Sequence, residues 1–421
     1  ALFGRLGSAF MPEADPGQFQ VSYKADPSIS LDRSIEIARQ LVAEIRANPA
    51  VDYTYTTIGG ISGQPINEGA IFVRLKDRKL RPHYLEIKAE MRERLKRFRA
   101  VRTAVVEADQ MQAESRPVQL VLRGQDLTRM VPLSRRLLDE VRAVPGTTDI
   151  DTSEEEPRPE VRVEIDRRAA GDLGLDLGTV ASTVRGLVAG EVVSQFEDPD
   201  GDSYDVRLRV DSSQRVHGAD LLGIDLPGRN GGPLIPLAQV ARIESGVAPS
   251  KIRHLDLMRE IRISANTQGR SLGEVVADIQ ERLANVPLPP GHSVGFTGEY
   301  EDMRESFGYV VQSLVLAILL IYAILASQFR SFLQPLAIML SLPLSLVGVA
   351  GMLYLVGDTM NMMSMIGLIL LMGLVTKNAI LLVDFANVQR RAGTPRRPAL
   401  IEAARVRLRP IIMTTLAMIF G

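Results

Sequence analysis

Two hydrophobic rhythms divide the chain near residue 305. After it, apolar residues run on almost without interruption. The stretches 306–329, 331–357 and 359–376 hold 24, 27 and 18 residues without a charge, and six more follow Lys377 before Asp384. A helix across a hydrocarbon core takes about 20 residues. One such run can be a buried soluble helix. Three in succession, parted by single charges, predict membrane spans at 306–329, 332–357 and 360–388, with a further one opening at 408–421.

Before residue 305 the period changes. Short apolar runs alternate with helical stripes, and each stripe is closed by a proline. A strand at 19–23 precedes Leu31, Ile35, Ala38, Leu41, Val42 and Ile45, then Pro49 and a strand at 51–57. The pattern returns as 118–122, a stripe of Leu127, Met130, Val131, Leu137, Leu138 and Val141, Pro145, and 147–151. It returns again as 261–265, a stripe of Leu272, Val275, Val276, Ile279 and Leu283, Pro287, and 293–296. A looser copy runs through 70–75, 84–98 and 101–106. The i, i+3, i+4, i+7 spacing marks each helix, and proline just beyond stops it.

Each copy is a βαβ unit whose helix must cover one face of a sheet, and two copies back to back form a split βαβ, ferredoxin-like sandwich. The expected class is α+β with an α-helical transmembrane bundle. One sandwich is expected at 19–116, with its paired copies at 19–108. A second is expected from 117–165 with 257–300, an insertion at 166–256, and the bundle at 301–421. Residues 1–18 are expected to close a preceding span and link it to the first strand. The chain starts at Ala1 without a signal peptide, and twelve uncharged residues follow Arg409. Twelve residues reach only about 18 Å as helix. An internal piece of a longer polytopic protein, inactive in transport by itself, is expected.

Charge sharpens this picture. Lys and Arg number 49 and Asp and Glu 50, a net charge of −1 that argues against a nucleic-acid partner. The balance is uneven along the chain: 40 basic and 47 acidic residues in 1–305, nine basic and three acidic in 306–421. Seven arginines against the single acid Glu402 fill 390–409, which marks that stretch as cytoplasmic. Counting spans back from it puts 1–305 outside the cytoplasm, in the periplasm of a two-membrane bacterium. Cysteine is absent, which excludes disulfides, thiolate metal sites and cysteine nucleophiles. His83, His217, His254 and His292 have no ligand spacing. No metal site, catalytic site or cofactor is expected, and no phosphate loop of the G-x-x-x-x-G-K type appears. Asp198-Pro199-Asp200-Gly201 is a hairpin signal. Asp198, Asp200 and Asp202 could open a calcium loop, but the later Glu that such a loop needs is missing.

Lys377 is the residue that points to chemistry. A charge near the bilayer centre costs roughly 2.5–3.5 kcal/mol on insertion scales. Asp384 lies seven residues on, about 10.5 Å along a helix axis and too far for a direct pair. Lys377 therefore calls for a carboxylate on a helix that this chain does not contain. An intramembrane ion pair of that kind is an ion or proton relay: protonating the acid strips Lys377 of its counter-charge and shifts the helices. Asn378 beside it can hydrogen-bond or serve as helix–helix glue.

Gly373-Leu374-Val375-Thr376-Lys377-Asn378-Ala379-Ile380-Leu381-Leu382-Val383-Asp384-Phe385-Ala386-Asn387 resembles the tenth transmembrane helix of resistance–nodulation–division multidrug efflux pumps, in the hydrophobe/amphiphile branch. Arg405-Val406-Arg407-Leu408-Arg409-Pro410-Ile411-Ile412-Met413-Thr414-Thr415 resembles that family's entry into helix eleven. The resemblance extends over the whole chain, as part of the C-terminal half. It implies that Lys377, Arg407 and Thr414 belong to a proton relay, with Asn378 and Asp384 in support. Two aspartates of the fourth helix would be the partners of Lys377. From residues alone, Arg407 is one of seven arginines and Thr414 a packing hydroxyl. The resemblance also implies two porter subdomains flanking a substrate cleft, with Tyr55, Thr57, Gly60 and Phe72 in the matching segment. Only Tyr55 and Phe72 are aromatic there and the loop at 60–68 is short, so a narrower or more polar cargo is expected than flat apolar drugs. The insertion corresponds to a docking or funnel subdomain, with its hairpin turn at Asp198 and Gly201.

The expected protein is an inner-membrane, proton-driven exporter of amphiphilic compounds. The family works as a homotrimer with a periplasmic adaptor protein and an outer-membrane channel. A membrane-anchored interaction module or protein-export assistant would use the same domains without a buried lysine. The metal-exporting branch would want paired methionines facing a conduit. Met360, Met362, Met363, Met365 and Met372 lie in or beside a span, and Met91, Met111 and Met130 show no pairing.

Overall fold

The computed structural model describes residues 6–12, 14–59, 65–107, 116–154, 158–211, 217–228, 232–248 and 251–420. The chain divides into two compact units, one of Ala1–Glu154 with Ile252–Gly421 and one of Glu155–Lys251.

The first unit opens with β1 (Gln18–Lys24), α1 (Leu31–Arg46), β2 (Val51–Ile58), β3 (Glu68–Leu75), α2 (Tyr84–Leu95) and β4 (Arg102–Val106). Their sheet runs β2-β3-β1-β4, antiparallel throughout. Strand alternation buries Phe19, Val21 and Tyr23 of β1 with Ile71, Val73 and Leu75 of β3 on one face. Leu41 and Ile45 of α1 and Ile87 and Met91 of α2 close over them. Ser30 caps α1 by accepting from the Arg33 N–H. Beside this core, Arg81 donates to both oxygens of Asp15, at 3.0 and 2.6 Å. The two side chains are only 2% and 3% exposed. Those hydrogen bonds from Arg81 hold the Asp15 carboxyl below the ordinary carboxylate range, against the opposing pull of burial.

The same order of elements recurs with an interruption. β5 (Val118–Gly124), α3 (Leu127–Arg142) and β6 (Thr147–Thr152) come first. The chain then enters the second unit through β7 (Arg158–Ile165), α4 (Arg167–Asp172), α5 (Leu177–Ala189), β8 (Glu191–Glu197), β9 (Ser203–Leu208), β10 (Asp225–Leu226), β11 (Ile235–Pro236) and β12 (Ala241–Ala248). Back in the first unit follow β13 (Arg253–Leu255), β14 (Met258–Thr267), α6 (Leu272–Leu283) and β15 (Ser293–Thr297). β14 pairs with β6 and β13 along one edge and with β5 along the other, and β15 pairs with β5. Leaving β13 aside, the four strands stand in the same relative order as in the first sheet.

The ladders move the expected boundaries. β7 pairs along its whole length with β12, so residues 158–165 belong to the inserted unit rather than to the second sheet. β13 folds back on β14, which returns 253–256 to the first unit. The inserted unit has its own core of Ala170, Leu175, Val180, Leu226, Leu237 and Val240. β8 and β9 form a two-stranded hairpin whose strand residues are all exposed.

Residues 1–5 of the expected preceding span lie outside the described residues. Ser8 forms a parallel bridge to Met360, with Met360 donating to the Gly7 carbonyl at 2.8 Å and Gly273 to the Ser8 carbonyl at 3.0 Å. At Gly298 the chain passes from β15 into α7 (Glu299–Phe329). There φ is +70°, and a Cβ would stand 2.6 Å from Gln119 Nε2, so only glycine fits. α8 (Leu333–Met339), α9 (Ser341–Val356), α10 (Met362–Arg391) and α11 (Arg396–Phe420) follow. Among the described residues, three helical stretches are long and apolar enough to cross a membrane: Glu299–Phe329, Leu333–Val356 and Met362–Arg391. The second of these is two abutting helices that part at Leu340. The helix expected to open at 408 begins instead at Arg396, so most of the arginine-rich stretch is helical. Arg, Ala, Leu and Glu are good helix formers, and a search for uncharged runs passes over such a segment.

The two sheet-and-helix layers of the first unit meet across a polar seam. Opposite the single residue Ala265 of β14, β6 supplies both Asp149 and Ile150, a bulge. Asp149 takes φ +50°, which Asp tolerates better than most residues. Its carboxylate accepts from Arg92 Nε of α2 at 2.8 Å and from Asn266 Nδ2 at 2.9 Å. Arg92 Nη2 and Asn266 Nδ2 both donate to the carbonyl of Val105 on the edge strand β4, at 3.1 and 3.3 Å. The ion-paired side chains are 11% and 8% exposed.

Asp149→Ala strands Arg92 without its anion and is expected to cost about 3–5 kcal/mol. Asp149→Asn, which still accepts hydrogen bonds, should cost less. Hydrogen exchange across β4 and β6 reads both, and undiminished protection in the alanine variant would show that the seam is held by something else. Because the native Asp15 pKa is depressed, its contribution is complete above the ordinary carboxylate range and fades as pH falls through the lower native value. Protection of the segment around Arg81 should therefore drop in acid in the parent protein. In Asp15→Asn it should be low at every pH and change little.

Candidate functional site

On α10, Met365, Leu368, Met372 and Thr376 form the buried face. It packs with Leu342 and, half-buried, Leu314, Ile318, Met339, Leu346 and Val349. Thr376 spends its hydroxyl on its own helix, donating to the Met372 carbonyl at 2.7 Å. Lys377 follows one residue on, rotated about 100° from that face. It sits on the rim of an open groove of ≈ 300 Å³ between α7 and α10. The groove walls are Ile321, Ile324 and Leu325 on one side and Gly373 and Ile380 on the other, with Gln328 the polar residue that α7 contributes. Among the described residues Lys377 has neither an ion pair nor a hydrogen bond. Asp384, on the same helix, is exposed, and Asn378 is half-buried.

α11 returns beside α10 after the short connection 392–395. Ala399 and Ala403, both fully buried, give it a smooth contact face. Arg407 is thereby placed with its guanidinium 5.5 Å from the Phe385 ring centroid, a cation–π contact. Its Nε is buried without an acceptor. Thr414 lies seven residues beyond Arg407, about 10.5 Å along the axis. Since α11 runs back against α10, this step carries Thr414 from the level of Phe385 toward that of Lys377. Its hydroxyl donates to the Ile411 carbonyl at 2.9 Å, within its own helix. Asn387 ties α10 to α8 by donating to Gln334 Oε1 at 3.0 Å.

The other expected residues lie elsewhere. Tyr55 stands directly opposite Phe72, and Thr57 opposite Ala70, on the sheet face turned away from α1 and α2. Gly60 lies outside the described residues. Asp198 and Gly201 form the turn of the β8–β9 hairpin: Gly201 donates to the Asp198 carbonyl at 2.9 Å, and the Asp200 N–H donates to Asp198 Oδ1 at 2.6 Å. Gly201 has φ +88°. The structure places Gln328 beside Lys377, Phe385 against Arg407, and Tyr53 and Arg74 on the face of Tyr55 and Phe72. Strand alternation two residues from Tyr55 and Phe72 would have found Tyr53 and Arg74. Nothing in the sequence pairs Phe385 with Arg407.

Sheet-and-helix layers carried on apolar helices of membrane-spanning length, one of which bears a lysine, are the features of a polytopic membrane transporter. The chain belongs to the AcrB/AcrD/AcrF family, whose profile matches residues 1–421, and thus to the resistance–nodulation–division efflux transporters. It is 27% identical over 429 residues to the multidrug resistance protein MdtC of Escherichia coli (strain UTI89 / UPEC), covering 100% of this chain and 41% of that protein. It is 28% identical over 433 residues to MdtC of Erwinia tasmaniensis, with the same coverage. An uncharacterized transporter of Haemophilus influenzae is 27% identical over 435 residues. The chain thus spans about two fifths of the length of these relatives. The crystal structure of a heavy metal efflux pump superposes with a TM-score of 0.83 at 24% identity, over 98% of this chain and 44% of that one. That likeness shows the fold alone.

Ala403→Leu should wedge α11 away from α10 at a cost of roughly 1–3 kcal/mol. A cysteine pair introduced across the two helices should then cross-link more slowly. Undiminished cross-linking would show that the alanine face does not set this contact.

Proposed function

We propose that this chain is part of a proton-driven exporter in the cytoplasmic membrane. In this reading the two repeated sheet-and-helix layers are ferredoxin-like porter subdomains, at 19–116 and at 117–154 with 253–300. They handle amphiphilic compounds on the periplasmic side. The inserted unit is a docking subdomain, with the β8–β9 hairpin at its contact surface. The working form is a homotrimer that meets a periplasmic adaptor and an outer-membrane channel. The energy source is the proton gradient, without a nucleotide or other cofactor.

The observation that carries this reading is Lys377, an ammonium in an apolar helix with no acid paired to it among the described residues. An intramembrane charge persists when it is used, in a relay with carboxylates on another helix. Those carboxylates would come from the part of the relatives that this chain does not span. Protonating them would release Lys377, and α10 would pass the change through Phe385 and Arg407 to α11, which also carries Thr414. Asn378 and Asp384 would support the relay. The names of the MdtC relatives favour drug-like cargo over metal ions.

In the full-length protein, Lys377→Ala should abolish proton-coupled efflux while expression and assembly stay near normal. Efflux measured in vesicles with an imposed pH gradient decides it. Retained transport in the variant would remove the relay role.

A further inference from the structure

The sheet face that carries Tyr55 and Phe72 also holds a cation, Arg74, that no carboxylate among the described residues neutralises. Arg74 of β3 stands directly opposite Gln18 of β1 on one side and Tyr53 of β2 on the other. Its Nη1 donates to Gln18 Oε1, a neutral acceptor, at 3.0 Å. Among the described residues no carboxylate pairs with it. Glu68, the acid that strand alternation places on this face, is taken by Lys24 at 3.0 Å. Asp52, the extra residue where β2 bulges against β3, makes no bond to Arg74.

On the same face Tyr53 stands opposite Arg74, with Tyr55 and Phe72 as the neighbouring outward pair. Tyr53 is 51% and Tyr55 65% exposed. The Tyr53 and Phe72 rings lean together with centroids 6.2 Å apart. Exposed rings gain by covering a flat apolar body. A guanidinium offers paired N–H donors that match a planar or tetrahedral oxyanion better than any neutral group does. The two features lie side by side, so one molecule can satisfy both.

We infer that this face selects aromatic amphiphiles bearing a carboxylate or sulfonate, with Arg74 as the specificity-determining residue. The inference rests on the exporter reading, whose cargo surface it gives a chemistry. Arg74 is exposed, so replacing it does not threaten the core beneath.

The test uses the full-length protein in lipid vesicles with two aromatic probes of opposite charge, 8-anilinonaphthalene-1-sulfonate and ethidium. Arg74→Gln should weaken binding of the sulfonate roughly tenfold, the loss of one charge-assisted contact. Ethidium binding should stay within about twofold, since it makes no such contact. Arg74→Glu should weaken the sulfonate further, and Arg74→Lys should keep most of its binding. Unchanged sulfonate binding overturns the inference. So does an equal loss for both probes, the outcome expected if Arg74 only holds the shape of the face. If the parent protein binds the sulfonate through Arg74 yet moves neither probe under a proton gradient, the exporter reading fails and the selectivity stands.

Discussion

An ammonium among hydrocarbon side chains is the constraint around which the helical part of this protein is organised. The groove beside Lys377 supplies apolar walls from α7 and α10 and a single carboxamide, Gln328. Thr376 bonds its own helix, and Asp384 stands two turns away. None of these answers a charge whose transfer into lipid costs a few kcal/mol. Sequence, packing and proposed function meet at this point. The apolar runs create the medium, the buried face of α10 fixes which way Lys377 projects, and the unanswered charge is what a proton relay would use.

A different balance governs the sheet-and-helix layers. Each buries its apolar side internally, so what remains for the contact between them is polar. The edge strand β4 has a carbonyl at Val105 that its own sheet does not use, and the bulge in β6 turns Asp149 toward it. Arg92 and Asn266 close the gap. A seam built from one buried ion pair and shared hydrogen bonds depends on geometry far more than an apolar one, because a small shift leaves charges unpaired. The contact between the two layers is therefore sensitive to small shifts at Asp149 and Arg92.

The face beyond β2 and β3 shows how one strand position can set chemistry without disturbing the fold. Ile71 and Val73 are buried toward the helices, and Phe72 and Arg74 point the other way. Exchange at Arg74 leaves the core untouched. In the proposed cargo surface, specificity would therefore vary there independently of stability.

Much of this was legible in the residues themselves. Helical stripes ending in proline announced α1, α3 and α6, because burying one face and breaking the helix at proline are rules that act within a turn or two. Charge-free runs announced the membrane-length helices for the same local reason, and Lys377 stood out against them. The tertiary structure alone decided what depends on partners far apart in the chain. Asp149 meets Arg92 from 57 residues away, and no periodicity records that encounter or the bulge that makes it. β7 reads as an ordinary strand until its ladder with β12 assigns it to the inserted unit. The early start of α11 and the seat of Arg407 on Phe385 were hidden in an arginine-rich stretch that looks like loop. Sequence records which surfaces must be buried; packing between distant segments decides which polar groups end up facing one another.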